Sequence, residues 1–392
     1  MPREGRSHGR LAEAKALLAR LIVFESVSDA SNLPLIEFVE DYLKGQGLES
    51  SRAPNAAGDK TAILATIGPR VDGGIVLSGH TDVVPVVGQP WSGPPFALRE
   101  DSGRLYGRGA CDMKGFDACV LAMAPVFRDA GLKRPVHIVL SYDEEVTCLG
   151  SLDIIARFGV DEPMPAAVIV GEPTMMAVAD AHKSVATFRT VVTGHEAHSA
   201  LPALGANAVA AAADVVSEIG RLARAYEEGP LDPRFTPPYS TLHVGMIHGG
   251  TARNILAREC VFNWEFRGLP GVTTASALAK VQAFVDEVAT PRLTRFVKGP
   301  SITTAIEVDV PPLAAEASSA AESLALRLTR SNRAIAVSFA TEAGHFQAAG
   351  LPTIVCGPGS IDVAHQPDEF VDEGQLVACL EFLERLAEDL SR

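Results

Sequence analysis

Two residues that could bind a metal ion, His80 and Asp82, follow a short apolar segment at residues 75–78. An apolar run of this length, closed by Gly79, predicts a buried strand that is covered on both faces. Side chains two positions apart in an extended segment point to the same side. Asp82 could therefore hold one imidazole nitrogen of His80 while the other nitrogen faces a metal. Taken alone, the pattern also fits a solvated histidine beside a turn aspartate.

More acidic residues and a second histidine occur just after predicted strands or in glycine-marked loops. They are Asp112 in YGRGACDMKG, the adjacent pair Glu144 and Glu145, Glu172 in GEPT, and His365 in AHQPDE. In open α/β sheets the carboxyl ends of the strands meet at one crevice, where ligands bind. These residues, distant in sequence, are therefore expected to converge.

Histidine and carboxylate ligands together suit zinc, cobalt or manganese rather than a thiolate site. Two histidines and three carboxylates are too many for one zinc ion, but they fit two metals that share a carboxylate. Such a pair can clamp a carbonyl group and activate a water molecule. Glu144 and Glu145 could divide the work, one as a ligand and one as a base. Paired acids after a strand are usually turn residues, so the prediction depends on the whole set.

The elements around these residues predict a doubly wound α/β domain with a mostly parallel sheet. Apolar runs predict strands at residues 61–67, 75–78, 136–141 and 166–170, and helical periodicity predicts helices at 11–24, 35–44 and 116–130. Strands and helices alternate, and the candidate ligands follow the strands.

The pattern changes near His182, which indicates an inserted α+β domain. Alternating strands are predicted at 185–193, 240–247 and 259–266, with helices at 206–226 and 275–289. They suggest an antiparallel sheet with one covered face. The α/β pattern returns after about Lys298, with helices at 314–329 and 374–390 and strands at 335–339 and 353–356. We therefore expect one domain from residues 1–181 and 298–392, and a second from 182–297.

Composition excludes several classes of partner. A chain of 392 residues usually forms more than one domain. Its 48 acidic and 34 basic residues give a net charge of −14, which argues against nucleic acid or an anionic membrane as a partner. The six cysteines are scattered and favour reduced thiols in the cytoplasm. No secretory signal or membrane-spanning segment is predicted, so we expect a cytoplasmic protein.

Six motifs together resemble one known family. They are SGHTDVVPV, GRGACDMKG, DEEVTCLGS, GEPT, GHEAHSALPALGANA and GPGSIDVAHQPDE. Nearly end to end, they are similar to the di-zinc metallopeptidases, a family that includes amino-acid deacylases, desuccinylases and carboxypeptidase G. The resemblance implies a catalytic domain with two Zn²⁺ ions, for which Co²⁺ could substitute, and an inserted lid domain that forms a homodimer. It also implies a cis peptide bond between Asp112 and Met113.

The resemblance further assigns the metal ligands by position. One metal would be held by His80, Asp112 and Glu172. Asp112 would bridge to the second metal, whose remaining ligands would be Glu145 and His365.

Three more residues acquire catalytic roles from the resemblance. Asp82 would orient His80, and Glu144 would be the general base. His198, in the inserted domain, would reach the active site of the partner subunit and hydrogen-bond the oxyanion of the tetrahedral intermediate.

The expected substrate is a small N-acyl amino acid. The resemblance favours N2-acetyl-L-ornithine, hydrolysed to L-ornithine and acetate in arginine biosynthesis. A succinyl-diaminopimelate desuccinylase, another N-acyl-amino-acid amidohydrolase or a dipeptidase remains an alternative. A non-catalytic scaffold would tend to lose the base or a ligand, whereas the base, the five ligands and Asp82 are all present here.

Substrate-binding candidates follow from the charges of such a molecule. Arg267 and Asn254 could bind its α-carboxylate, helped by backbone N–H groups around Gly357 and Gly359. Glu342 could pair with the ornithine ammonium group. A structural strand-end arginine and a solvated loop glutamate are the alternatives for Arg267 and Glu342.

The sequence departs from the family pattern at two positions. Ala257 follows Asn254-Ile255-Leu256 where relatives commonly have proline, and His345 stands where we expect an apolar residue. Neither is a candidate ligand, but the second affects what is expected of the substrate pocket.

Overall fold

The computed structural model describes residues 3–392, with side chains from residue 10 onward. These residues divide into two units. The larger contains the chain up to Ala181, then Ala315–Ile335 and Thr341–Arg392, and the smaller contains His182–Ala314 and Ala336–Ala340.

Helices and strands alternate through much of the described chain. The helices are α1 (Arg3–Val23), α2 (Leu33–Gly45), α3 (Lys114–Asp129), α4 (Leu152–Ile155), α5 (Ala208–Glu227), α6 (Thr274–Phe284), α7 (Thr290–Leu293), α8 (Ala320–Thr329), α9 (Ala343–Ala348) and α10 (Glu373–Leu390). The strands are β1 (Ser51–Pro54), β2 (Thr61–Ile67), β3 (Gly74–His80), β4 (Arg99–Asp101), β5 (Arg104–Tyr106), β6 (Val136–Ser141), β7 (Pro165–Pro173), β8 (Ala179–His182), β9 (Val185–Thr193), β10 (Thr241–Gly249), β11 (Glu259–Arg267), β12 (Ser301–Val310), β13 (Ile335–Val337), β14 (Thr353–Gly357) and β15 (Phe370–Asp372).

A mixed sheet forms the centre of the larger unit. Within residues 3–392 its strand order is β1-β2-β6-β3-β7-β14-β8-β13. The four middle strands, β6, β3, β7 and β14, are mutually parallel, and β2 and β8 pair antiparallel to them. Every residue of β3, β6 and β14 is buried, as uninterrupted apolar runs predict for strands covered on both faces. The predicted fold class is confirmed, and the parallel pairing is confined to the middle of the sheet.

Helices α1, α3 and α10 pack against one another, and α3 also lies against β3. Their apolar side chains, such as Leu18, Phe116 and Phe382, are buried in the same core as the strands. This packing fixes the start of α3, which directly follows Asp112 and Met113.

A small sheet of order β15-β5-β4, which the sequence did not reveal, connects two functional segments. Its strands are three residues long, too short to show a clear alternation of apolar residues. Phe370 is paired with Tyr106 across β15 and β5. The chain just before Asp112 is therefore attached to the chain just after His365.

The smaller unit contains an antiparallel sheet of order β10-β11-β9-β12. Buried and exposed residues alternate along β9 and β11, as expected for a sheet with one covered face. Phe188 and Trp264 stack on the buried face, with ring centroids 3.8 Å apart, and α5 packs over the sheet. Asn207 begins α5, because its side chain accepts hydrogen bonds from the N–H groups of Val209 and Ala210.

Strand β12 lies beyond residue 298, where we expected the α/β pattern to return. It pairs with β9, and the smaller unit continues to Ala314. Helix α8 begins at Ala320 rather than at 314, because Ser319 caps it by accepting a hydrogen bond from the N–H of Glu322.

Among the described residues, no helix combines the length and the apolarity that crossing a bilayer requires.

His137 gives the larger unit a pH dependence that is independent of the candidate ligands. It lies fully buried in β6, with Nδ1 3.0 Å from Thr66 Oγ1, and burial lowers its pKa to about 4. In the unfolded chain His137 binds a proton with a pKa near 6.5, whereas in the folded chain it stays neutral down to a much lower pH. The free energy of unfolding should therefore fall by roughly 3 kcal/mol as pH drops from 6.5 to 4.

Urea denaturation of the metal-free protein across this pH range would measure the effect. The His137→Gln variant cannot titrate at this position, and the difference between the two pH profiles isolates the histidine. Parallel profiles for the wild type and the variant would contradict the prediction.

Candidate metal centre

The first group of candidate ligands lies at the carboxyl ends of two neighbouring parallel strands. Strand β3 continues through His80 and β7 through Glu172, so both residues belong to strands rather than to the loops we predicted. Both side chains are buried, and His80 Nε2 lies 3.6 Å from Glu172 Oε1. Strand pairing therefore sets the distance between these two groups.

Asp112 connects this group with a second one. It lies in the turn before α3, and the Asp112–Met113 peptide bond is cis, which confirms what the resemblance implied. Its Oδ1 is 3.1 Å from His80 Nε2, and its Oδ2 is 3.3 Å from His365 Nε2. Each oxygen of the Asp112 carboxylate thus faces a different histidine.

The second group comes from loops. Glu145 follows β6, and its Oε2 lies 3.0 Å from His365 Nε2. His365 follows β14 in a left-handed backbone conformation, with φ +62°, and its side chain is 49% exposed. The second group is therefore more open to solvent than the first.

The five predicted ligands come together as two sets of three that share Asp112. Within each set, one ligand atom from each residue lies within 4.8 Å of the others. The sets are His80, Asp112 and Glu172, and Asp112, Glu145 and His365.

The electrostatics of these sets fit divalent cations. Burial raises the pKa of Glu172 well above its usual range, and Glu172 Oε1 has no hydrogen-bond partner among the described residues. Burial, with repulsion from Asp112, raises the pKa of Glu145 to about 7. Hydrogen bonds with Asp112 and Glu145 raise the pKa of His365 to about 10. The carboxylates are short of positive charge, and nitrogen and oxygen donors of this kind suit zinc or a related ion.

Glu144 lies beside both sets without belonging to either. Its Oε2 is 3.8 Å from His80 Nε2, and the Cys148 thiol lies 3.3 Å from its Oε1. Burial raises the pKa of Glu144 well above the usual range of a carboxyl group. A carboxyl group that holds a proton readily suits general acid–base chemistry.

Asp82 contacts His80 differently from the way we expected. His80 Nδ1 lies 3.0 Å from the Asp82 backbone carbonyl and 3.6 Å from its carboxylate. The carboxylate instead accepts hydrogen bonds from the backbone N–H groups of Glu144 and Glu145, at 3.1 and 3.2 Å, and from the Ser28 hydroxyl at 2.7 Å. Asp82 therefore holds the turn that carries both glutamates.

Glu342 is enclosed in the larger unit rather than lying on a solvated loop. It is 1% exposed, and its two oxygens accept hydrogen bonds from Ser78 Oγ at 2.6 Å and Ser141 Oγ at 2.7 Å. Burial raises its pKa. The carboxylate thereby connects β3 with β6, just behind His80.

The two backbone N–H groups proposed as carboxylate receptors already have acceptors. Gly357 donates to Thr174 Oγ1 and Gly359 donates to Gln375 Oε1, each at 3.2 Å. Binding a substrate there would require these bonds to break.

The other candidates belong to the smaller unit. Arg267 Nε and Nη2 donate to the two oxygens of Glu265 on the same strand, at 2.8 and 3.1 Å. Asn254 is exposed, and its backbone carbonyl accepts a hydrogen bond from the N–H of Ser199. His198 is also exposed, and its Nδ1 lies 3.1 Å from the N–H of Ala200.

Sequence reasoning missed the residues that hold the ligand loops. Glu369 accepts a hydrogen bond from the N–H of Asp112, and the Ser28 hydroxyl donates to Asp82, which holds the turn of Glu144 and Glu145. Glu369 lies in the motif GPGSIDVAHQPDE, which was its only signal, and Ser28 had no metal-ligand spacing to distinguish it.

Comparison with known proteins identifies the family. The family model described as peptidase family M20/M25/M40 matches residues 76–389. Acetylornithine deacetylase of Myxococcus xanthus is 34% identical over 386 residues, covering 96% of this chain and 97% of that protein. The Photorhabdus laumondii protein of the same name is 34% identical over 365 residues, covering 91% of both chains.

Solved structures show the same fold at low sequence identity. An aminopeptidase from Bacillus cereus superposes with a TM-score of 0.75, at 16% identity, and the match covers 97% of this chain and 99% of that one. The chain therefore belongs to peptidase family M20/M25/M40, a family of metal-dependent hydrolases.

Proposed function

We propose that this chain is a deacetylase of N2-acetyl-L-ornithine, which it hydrolyses to L-ornithine and acetate in arginine biosynthesis. The observation that carries the chemistry is the pair of ligand sets sharing Asp112, with Glu144 beside them. The choice of substrate is supported by the relatives at 31–34% identity, which are named acetylornithine deacetylases. A cytoplasmic location, as predicted from cysteine usage, belongs to the same proposal.

Two zinc ions are the proposed cofactors, with cobalt as a working substitute. His80, Asp112 and Glu172 would hold one ion, and Asp112, Glu145 and His365 the other. When bound, such a pair polarises an amide carbonyl and lowers the pKa of a water molecule. The larger unit would thus be the catalytic domain.

Glu144 is the proposed general base and then acid. It would take a proton from the attacking water and deliver that proton to the nitrogen of the leaving amine. Its position supports this role, because Asp82 fixes its backbone and the Cys148 thiol lies beside its carboxylate.

His198 is the proposed oxyanion donor, supplied by the smaller unit of a partner subunit in a homodimer. Its Nδ1 accepts a hydrogen bond from the N–H of Ala200, so the neutral ring carries its proton on Nε2. That nitrogen is then ready to donate a hydrogen bond to a developing negative charge.

Arg267 and Asn254 are the proposed receptors for the α-carboxylate of the substrate. Arg267 is partly exposed and already binds one carboxylate through two N–H groups, a geometry that a substrate carboxylate could adopt. The predicted contact between Glu342 and the substrate ammonium group requires Ser78 and Ser141 to release that carboxylate.

The Asp82→Asn substitution should weaken metal binding. The amide group would place a donor against a backbone N–H and release the turn that carries Glu145. Loss of such a supporting hydrogen bond typically lowers metal affinity about 10- to 100-fold. Competition with a zinc chelator would measure it. Ser28→Ala, which keeps both backbone contacts to Asp82, should have a smaller effect, and equal effects would contradict this account.

The substrate assignment is tested by comparing kcat/KM for N2-acetylornithine, N-acetylmethionine and N-succinyl-diaminopimelate with the zinc-loaded and cobalt-loaded enzyme. We expect N2-acetylornithine to have the highest value. Glu144→Gln should lower kcat by about 10²- to 10⁴-fold while the protein still binds metal. Preference for the succinyl substrate would overturn the assignment, and a Glu144→Gln variant within a few-fold of wild type would remove Glu144 from the mechanism.

The shared active site is tested by mixing subunits. His198→Ala alone should lower kcat by about 10²- to 10³-fold, as expected for an oxyanion donor. Mixed with Glu144→Gln subunits, it should recover about one quarter of wild-type activity, because half of randomly formed dimers are hybrids with one complete site. His198→Ala subunits dissociated and reassembled alone are the control. No recovery in the hybrids would contradict donation across the dimer.

A further inference from the structure

Glu369 is a fully buried carboxylate that binds the backbone leading to Asp112. Its Oε1 accepts hydrogen bonds from the N–H groups of Cys111 at 2.8 Å and Asp112 at 3.0 Å. Its Oε2 accepts from the N–H of Gly109 at 3.1 Å and from Arg108 Nη1 at 2.6 Å. One side chain thus satisfies three backbone donors in the turn before α3.

Arg108 extends this network towards His365. Its side chain is buried, and its Nη2 donates to Gln89 Oε1 at 2.6 Å, while its guanidinium lies 5.1 Å from the centre of the Trp91 ring. The Gln89 amide Nε2 then donates to the backbone carbonyl of His365 at 2.9 Å. Glu369, Arg108 and Gln89 therefore form one connected network, which we call the Glu369 brace.

The two ends of the Glu369 brace are ligands of the same candidate metal site. It begins at the backbone of Asp112 and ends at the backbone of His365, whose side chains approach to 3.3 Å. His80 and Glu172 need no such support, because they lie within paired strands. The brace thus acts where the ligands depend on loops.

A contribution to folding stability does not explain why this buried network is present. A buried ion pair must offset the desolvation of both charges, and apolar replacements are often equally stable. The hydrogen bonds of the brace instead converge on the backbones of two ligands. Supporting hydrogen bonds of this kind orient metal ligands and set metal affinity.

We propose that Glu369, Arg108 and Gln89 are positioning residues for the metal site formed by Asp112, Glu145 and His365. Gln89 acts at His365, a ligand of this site alone, whereas Glu369 supports Asp112, which both sites share. This inference rests on the proposed binding of two cations. Of the ligand backbones at the two ends, Gln89 bonds directly to that of His365 alone, so its loss should affect the second site selectively.

The test is a titration of the metal-free protein with Zn²⁺ alone, by calorimetry and by metal analysis after dialysis at buffered free zinc. Wild type should bind two ions per chain. Gln89→Ala should bind one ion as wild type does and the other about 10- to 100-fold more weakly. Glu369→Gln should weaken both ions, because an amide cannot accept from all three N–H groups and Asp112 belongs to both sites. Gln282→Ala, in helix α6 of the smaller unit, where the Gln282 amide donates to Asp286, is the matched control and should bind both ions as wild type does.

The outcomes separate this inference from the proposed function. Wild type that binds fewer than two ions would overturn both. If wild type binds two ions and Gln89→Ala binds both with unchanged affinity, the positioning role alone is overturned. The same holds if Gln89→Ala weakens both ions equally. Glu369→Gln leaves Arg108 buried without its carboxylate and is judged only if circular dichroism shows it folded. Because Gln89 is only half-buried, Gln89→Ala is the decisive variant whether or not Glu369→Gln folds.

Discussion

The structure depends on the crowding of buried carboxylates at the carboxyl ends of parallel strands. Asp112, Glu144, Glu145 and Glu172 all lie near one another and near His80. Without cations, burial and mutual repulsion push the pKa of Glu144 and Glu172 upwards. A protein that keeps such charges together must offset them, and the two proposed divalent cations would do so while forming the reactive centre. The parallel middle of the sheet brings the strand ends to one edge and so makes the crowding attainable.

Support for the ligands differs according to where each one lies. His80 and Glu172 inherit their positions from strand pairing, which is backed by the core beneath β3 and β7. Asp112, Glu145 and His365 lie in loops, where hydrogen bonds from the backbone to buried carboxylates, and from Gln89 to the His365 carbonyl, replace the ladder. Asp82 holds the turn of Glu145, and Glu369 holds the turn of Asp112. These supporting carboxylates accept from backbone N–H groups, so they fix the backbone of each loop rather than the side chain of the ligand.

The sequence revealed the long, periodic elements and the residue types of the site. Buried runs such as β6 and the alternating β9 and β11 were found because burial on one or both faces leaves a periodic trace. Strands of three residues leave no such trace, and β12 was included in the returning α/β pattern because only Ile302 and Val310 in it are buried. The ligands were identifiable from their chemistry and motifs. Ser28 and Glu369 were not, because a residue that supports a ligand loop through hydrogen bonds has no characteristic spacing.

The proposed role of Arg267 as the receptor of the substrate α-carboxylate has to be reconciled with its ion pair with Glu265. Both side chains are about one-third exposed, and such pairs contribute only about 0–1 kcal/mol to stability. A substrate carboxylate could therefore replace Glu265 on the guanidinium at little energetic cost, since the two-bond geometry is the same. Glu265 would meanwhile keep Arg267 extended in the absence of substrate, which lowers the entropy lost on binding. An uncharged amide substrate would gain nothing from this exchange, so the pair would favour substrates with a free α-carboxylate.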